Sequence, residues 1–517
     1  MTSRILGLVR DQVLAFYFGT GNAMDAYRVA FKIPNLFRDL FAEGAMSAAF
    51  VPTFTRHVAD AGKPAGWKLG NHVVNALVVV TGALVLLGVL FATPLVTALA
   101  GEYATVTLAD GSNKLSLTIT LARIMLPTLT LIAVAAAVMG LLNSLRHFFI
   151  PALSPAIFNV VTIVVAVALV PAAPMLGIRQ PILLIAIATV LGGVAQLAVQ
   201  WPTLRREGYR YQPVLDWKDP GLRRVLMLMG PGTIGLAATQ LNIVVNVFLA
   251  VREGTGAVAA LEYAFRIMYL PIGLFGVSIA TAVLPAVSRH VVDKDTPASR
   301  KAIADGLSLM LMMNIPATVG LMVLSVPIVR VIFEHGAFTA TSTAATAAAL
   351  RLYAIGLVAY SIVRIASPTF YALGKNRIPV IVSMCTVVVN ATLNIILVRV
   401  MGFTGLALGT SIAAIFNAAV LIVLLRRNLG GLDERRILGS FVRIIAASAA
   451  MGVAAAAVDG WAAQALPGDH IAAQVVRVSL AIGVAIAVLA TAAWILRVRE
   501  FNEGMALVMR RFRRRPR

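Results

Sequence analysis

Long, unbroken apolar runs constrain this chain more than any other feature in it. They begin near Val73, Ser116, Pro155, Pro181, Val225, Ala257, Leu307, Ala344, Pro379, Gly405, Leu438 and Ile471. Each is long enough for the roughly 20 residues that a helix needs to cross a hydrocarbon core. Only helices and closed barrels satisfy their backbone groups there, and continuous rather than alternating apolar character selects helices. Composition agrees: of 517 residues 59% are apolar and 13% charged, about half the charge of a soluble protein. So few polar residues do not cover a soluble globule of this length. Two less apolar, charge-bearing segments, Ile5–Phe18 and Ala26–Val51, precede the twelve runs and bring the expected count to about fourteen. The fold class is an all-α polytopic membrane protein. Arg4, Arg10 and Asp11 interrupt the first apolar stretch, so no cleavable signal peptide is expected. Cys385, the single cysteine, allows no internal disulfide.

The chain carries 44 basic and 22 acidic residues, a formal charge of +22. In a soluble protein that excess would point to nucleic acid, but here its distribution decides. Alternate loops hold Arg56, Lys63 and Lys68, then Arg146, then Arg205, Arg206, Arg210, Lys218, Arg223 and Arg224. Arg289, Lys294, Arg300 and Lys301 follow, then Lys375 and Arg377, Arg426, Arg427, Arg435 and Arg436, and a basic tail. The opposite loops hold few: Lys114, Arg179, Arg252, Arg330 and Arg399. This is the positive-inside asymmetry, and it predicts that both termini are cytoplasmic. The basic loops and tail are expected to contact anionic lipids, with no nucleic-acid partner.

An internal repeat is visible. Ala30-Phe31-Lys32-Ile33 returns as Ala264-Phe265-Arg266-Ile267, and Pro52, Arg56, His57 and Val58 return as Pro285, Arg289, His290 and Val291. Arg123 matches Arg351, and Ile150-Pro151 matches Ile378-Pro379. Each half holds six spans, an even number, so both enter the membrane in the same sense; parallel repeats of this kind are a transporter architecture. The expected organisation is an N-lobe at 1–205, a C-lobe at 206–428, an additional helix pair at 429–496 and a basic cytoplasmic tail at 497–517.

Charges inside spans cost about 2.5–3.5 kcal/mol at mid-bilayer and usually face a bundle interior or water. Asp25, Arg28, Lys32, Asn35, Asp39 and Glu43 fall on one stripe of the second segment, about 27 Å long. Arg38 lies off it on an ideal helix, and Pro34 is expected to bend the segment. Arg4 and Asp11 share a face of the first segment. Arg266 stands in the second half at the repeat position of Lys32. One reading makes the second segment a surface helix, and another makes its acids simple partners of its bases. The third is a cationic central cavity built from both halves, where arginine forks match phosphate oxygens. Arg351, Arg364, Arg443 and Arg477 are expected to pair or snorkel. No phosphate loop, His-Glu-x-x-His motif or Cys/His cluster is present, and the six histidines lack metal-ligand spacing. A transporter rather than an enzyme is expected, with no bound cofactor and driven by membrane potential or a monovalent cation gradient.

The N-terminal stretch Ser3-Arg4-Ile5-Leu6-Gly7…Arg10-Asp11, Asp25-Ala26, Ala30-Phe31-Lys32-Ile33-Pro34-Asn35-Leu36 and Phe41-Ala42-Glu43-Gly44-Ala45…Phe50-Val51-Pro52 resembles the start of MurJ (MviN)-type lipid II flippases. These belong to the multidrug/oligosaccharidyl-lipid/polysaccharide exporter superfamily. Further matches are Arg123…Pro127, Leu142-Asn143-Ser144, Tyr263-Ala264…Arg266…Pro271 and Phe370-Tyr371-Ala372-Leu373. The resemblance implies two six-helix lobes plus a terminal pair in the bacterial inner membrane. It implies outward movement of undecaprenyl-pyrophosphate-linked disaccharide-peptide by alternating access, and contacts with other cell-wall synthesis proteins. It implies that Arg4, Arg10, Arg38 and Arg266, with Asp11 and Asp25, line the cavity; the charge stripe adds Lys32 to these substrate-binding candidates. Relatives usually carry about a dozen residues before the position of Ser3, and the first span here is short. Asp39 stands where a base is common, and Phe265 where an acid is common. The cation site of some relatives uses carboxylates; its best matches here are Asn246, Asn390, Asn394 and Thr410, a weak Na⁺ site at most. The alternative functions are a drug or cation antiporter, or a flippase for another polyprenyl-linked oligosaccharide. A membrane-embedded transferase would need a carboxylate cluster that does not stand out.

Overall fold

The structure, a computed structural model, describes residues 2–39, 45–293, 295–466, 468 and 470–502, and the side chains of all of these except 45–48 and 230–239. The expectations attached to Glu43, to Lys294 and to the basic tail beyond 502 lie outside the described residues. Among the described residues, ten helices are long and apolar enough to span a membrane, eleven if the bent pair Ala340–Ile355 and Leu357–Ala372 is one span. The expected count of about fourteen is higher for an identifiable reason. Thr2–Phe18 and Asn22–Arg38 are helices of 17 residues each, at the short end of what crosses a hydrocarbon core. The third, Pro220–Val251, contains the undescribed side chains.

Packing divides the chain into two compact units: residues 1–259 with 335–338, and residues 260–334 with 339–517. In the first, α1 (Thr2–Phe18) packs on α7 (Phe149–Leu169), and α2 (Asn22–Arg38) on α5 (Lys114–Met125). The long α3 (Ala45–Leu90) is two helices joined at Gly62, whose φ of +79° breaks the spiral; it packs on α6 (Thr128–Ser144) and on α10 (Pro220–Val251). Phe50, Phe54, Val73, Leu77, Leu141, Leu204 and Tyr209 form its main apolar cluster. The short α4 (Ala92–Ala100) precedes α5, and α8 (Ile182–Ala198) and α9 (Trp201–Arg206) follow α7. Between α9 and α10 the chain runs along α3. Tyr209 and Tyr211 donate to the Asn71 and Asn75 side chains at 2.6 and 2.8 Å, and Asn75 Nδ2 donates to Gln212 O and Val214 O.

The second unit contains most of α11 (Ala257–Pro271), a π-helical turn at Ile272–Gly276, α12 (Val277–Val292), α13 (Thr296–Val323) and α14 (Ser325–Phe333). It continues with α15 (Ala340–Ile355), α16 (Leu357–Ala372), α17 (Arg377–Met401) and α18 (Phe403–Leu429). The terminal pair α19 (Glu434–Ala465) and α20 (Ile471–Ile495) packs together, with α19 also on α13. Lipid tails offer no less apolar surface than leucine, so helices in a bilayer associate through close packing at small residues. Gly405 and Gly409 let α18 approach α17 so closely that a Cβ would stand 2.4 Å from Leu397 O or 2.0 Å from Asn394 Oδ1. Large outward residues such as Phe149, Val400 and Ile486 are exposed, as lipid-facing positions require.

The repeat recurs in both units. Each contains a nine-residue helix, α4 or α14, followed by a side-chain-capped helix: Asn113 caps α5 and Thr339 caps α15. Arg123 donates to Thr93 at the start of α4 at 3.2 Å, and its repeat mate Arg351 donates to Ser325 at the start of α14 at 2.7 Å. Each capped helix then breaks, at Pro127 in the first unit and at Gly356 in the second.

Candidate transport site

Three charged side chains meet inside the first unit. Asp11 on α1 is 1% exposed and accepts from Arg10 at 3.0 Å and from Arg28 on α2 at 3.3 Å. Arg10 and Arg28 are themselves 7% and 4% exposed. Two guanidiniums share one carboxylate there, in a place poor in water. Removing the shared carboxylate from such a set is costly because the guanidiniums stay desolvated. Arg28 was on the sequence stripe but is not among the candidate substrate residues above; its offset from Asp11 along the chain hides a contact that only helix packing makes.

Asp25 is elsewhere. It has no exposed surface, and its oxygens accept from Lys114 Nζ at 3.0 Å, Gly256 N at 2.7 Å and Ala259 N at 3.0 Å. Lys114, which the sequence places in an outer loop, is 1% exposed, with its Nζ 3.9 Å above the Tyr103 ring. The only cue to this was the cap residue Asn113 just before it, which starts the helix there. Arg38 pairs with its neighbour Asp39 at 2.7 Å, and Gln240 donates to the other Asp39 oxygen at 3.3 Å; both charged side chains are about a quarter exposed. Lys32 is half-buried and Arg4 exposed. Along α2, then, Arg28 reaches Asp11 of α1, Asp25 reaches Lys114 of α5, and Asp39 meets Arg38 and Gln240.

In the second unit Arg266 is half-buried on α11. Its neighbour Phe265 stacks on Tyr269 at 5.9 Å and meets Tyr353 and Tyr360 edge-on. Arg364 donates to the Tyr269 hydroxyl, Arg443 to Arg497 O, and Arg477 to the carbonyls of Leu466 and Gly468. Of the cation-site candidates, Asn390 and Asn394 are buried one turn apart on α17, Asn394 Nδ2 donating to Asn390 Oδ1 at 2.8 Å. Thr410 on α18 donates to Leu406 O, while Asn246 is half-buried on α10 in the first unit. The donors are neutral amide and hydroxyl oxygens, and no group of three His, Cys, Asp or Glu suits a metal among the described residues.

Apolar spanning helices in repeated units, with arginines and carboxylates buried among them, define a multi-helix membrane transporter. Residues 14–476 match the family described as lipid II flippase MurJ. A probable lipid II flippase of Vibrio cholerae is 35% identical over 424 residues, covering 81% of this chain and 80% of that protein. A lipid II flippase of Burkholderia cenocepacia is 32% identical over 431 residues, covering 83% and 82%. The solved structure of lipid II flippase MurJ in an inward closed conformation superposes with a TM-score of 0.76, at 28% identity, over 96% of this chain and 97% of that one. An inward-facing multidrug transporter of the MATE family shares the fold at 16% identity with a TM-score of 0.70, over 83% and 96%. The chain belongs to the MurJ lipid II flippase family.

Proposed function

We infer that this chain is the transporter that moves lipid II from the cytoplasmic to the outer leaflet of the bacterial inner membrane, by alternating access. Family membership over most of the chain carries this reading. The chemistry of the interior agrees with it. A pyrophosphate needs cationic, forked donors away from bulk water, and Arg10 with Arg28 supplies them around Asp11, with Arg266 as a further cation. In this reading Arg4, Arg10, Lys32, Arg38 and Arg266 hold the anionic headgroup, Asp11 and Asp25 orient the bases, and the lipid tail stays in the bilayer. An inside-negative potential favours outward movement of each negative charge by about 2.3 kcal/mol per 100 mV. That term is enough to bias transport without a strong cation site, so the potential is the better driving force, with Asn390, Asn394 and Thr410 at most a modulating Na⁺ site. Both termini face the cytoplasm, where the basic loops and tail contact anionic lipids and other cell-wall synthesis proteins dock. Depletion in the host tests the reading. Lipid II should accumulate in the cytoplasmic leaflet and restored expression should relieve it; unchanged outer-leaflet appearance, with no second flippase present, would refute it.

A further inference from the structure

A polar stretch, Asp110–Asn113, precedes Lys114, yet the residue is enclosed. Asn113 accepts from the N–H groups of Leu115 and Ser116, which starts α5 early and brings the Lys114 side chain into the protein over Tyr103. Three segments converge on the carboxylate it meets. Asp25 lies in the first turn of α2, Lys114 begins α5, and Gly256 and Ala259 bracket the first turn of α11. Thr255 also donates to Asn22 at 2.8 Å. Ala259 is 234 residues from Asp25, the offset of the internal repeat, so the starts of two repeat-related helices are joined through one side chain. Gly256 has φ +91°, and a Cβ there would stand 2.8 Å from Thr20 O; the close approach is built into the backbone. A carboxylate with no exposed surface stays ionised only when charge and donors replace its water. The N-terminal N–H groups of α11 supply partial positive charge, and Lys114 the full one.

We propose that Lys114 is a positioning residue for transport: it fixes the Asp25 carboxylate beneath the first turn of α11 and so holds the start of the helix that, about two turns beyond Ala259, carries Arg266. The proposal rests on the reading of this chain as a flippase. Its test uses the full-length protein in lipid nanodiscs and in proteoliposomes. Hydrogen exchange at the amides of 256–259 should accelerate about tenfold in Lys114→Met. Acceleration confined to α5 and the Tyr103 segment, with 256–259 unchanged, would make Lys114 mere packing for α5 and overturn the proposal. Lipid II flipping should fall about tenfold in Lys114→Met and in Asp25→Asn, and the double variant should be no worse than either, since both act along one route. Losses that multiply in the double variant would refute that route. If Lys114→Met does not reach the membrane, the comparison is made in the Asp25→Asn background. There, removing Lys114 should leave exchange at 256–259 unchanged, and a further acceleration would overturn the proposal. A wild-type protein that flips no lipid II would defeat the functional reading alone, because the exchange measurement still decides the role of Lys114.

Discussion

The Arg10, Asp11 and Arg28 cluster separates a substrate role from a structural one. Asp11 has two cationic partners, so Arg10→Ala leaves the Asp11–Arg28 pair intact. We expect normal membrane abundance with loss of complementation, and only partial rescue by Arg10→Lys, which keeps charge but not the fork. Asp11→Asn removes a counter-charge that both arginines share and should cost about 3–5 kcal/mol, read as lost abundance and a lower Tm. Arg28→Met in the Asp11→Asn background should recover much of that stability. A different residue reports on pH. Glu207, beyond the end of α9, is held below the ordinary carboxylate range, first by its hydrogen bond with His147 at 2.8 Å and then by Lys63 at 3.0 Å. A depressed carboxylate contributes its stability above the unfolded-state range and loses it as pH falls through the lower folded value. Wild type should therefore be more stable than Glu207→Gln at neutral pH, by about 0.2–1 kcal/mol as for other exposed pairs, read as a higher Tm. The gap should close as the medium is acidified below the ordinary carboxylate range; a gap that widened would show the assignment to be wrong.

At the scale of helices, the apolar runs located the elements well. The expected starts near Ser116, Pro181, Pro379, Gly405 and Ile471 fall within a few residues of α5, α8, α17, α18 and α20. Pro127 and Pro271 mark real interruptions, the latter followed by the π-helical turn. What the runs do not state is which faces meet. Alanine at Gly409 or Gly405 would force α17 and α18 apart and should cost about 1–3 kcal/mol, seen as reduced Tm in detergent. Gly439 on α19 has open space around its Cβ position, so Gly439→Ala should be neutral or stabilise by up to about 1 kcal/mol through helix propensity. Equal tolerance at Gly409 and Gly439 would mean that the α17–α18 approach does not limit stability.

For the whole molecule, orientation is the property to measure. In a Cys385→Ser background, cysteines replacing the exposed Lys218 and Pro297 should react only with reagents supplied from the cytoplasm, and one replacing the exposed Ala109 only from outside. Reaction of all three from one side would overturn the orientation that the basic loops imply. By itself, the sequence determined the class of fold, the places of its helices, the internal repeat and the family, because apolar length and repeated motifs are local properties that one strand of text carries intact. Only the tertiary structure decided who partners whom. It took Lys114 out of a loop and set it against Asp25, it joined Arg28 to Asp11, and it left Arg38 to Asp39. The reason is physical: a charge in a polar stretch costs the same to write whether it ends in water or buried, and its burial is fixed by neighbours from helices distant in sequence, which periodicity along one helix cannot register.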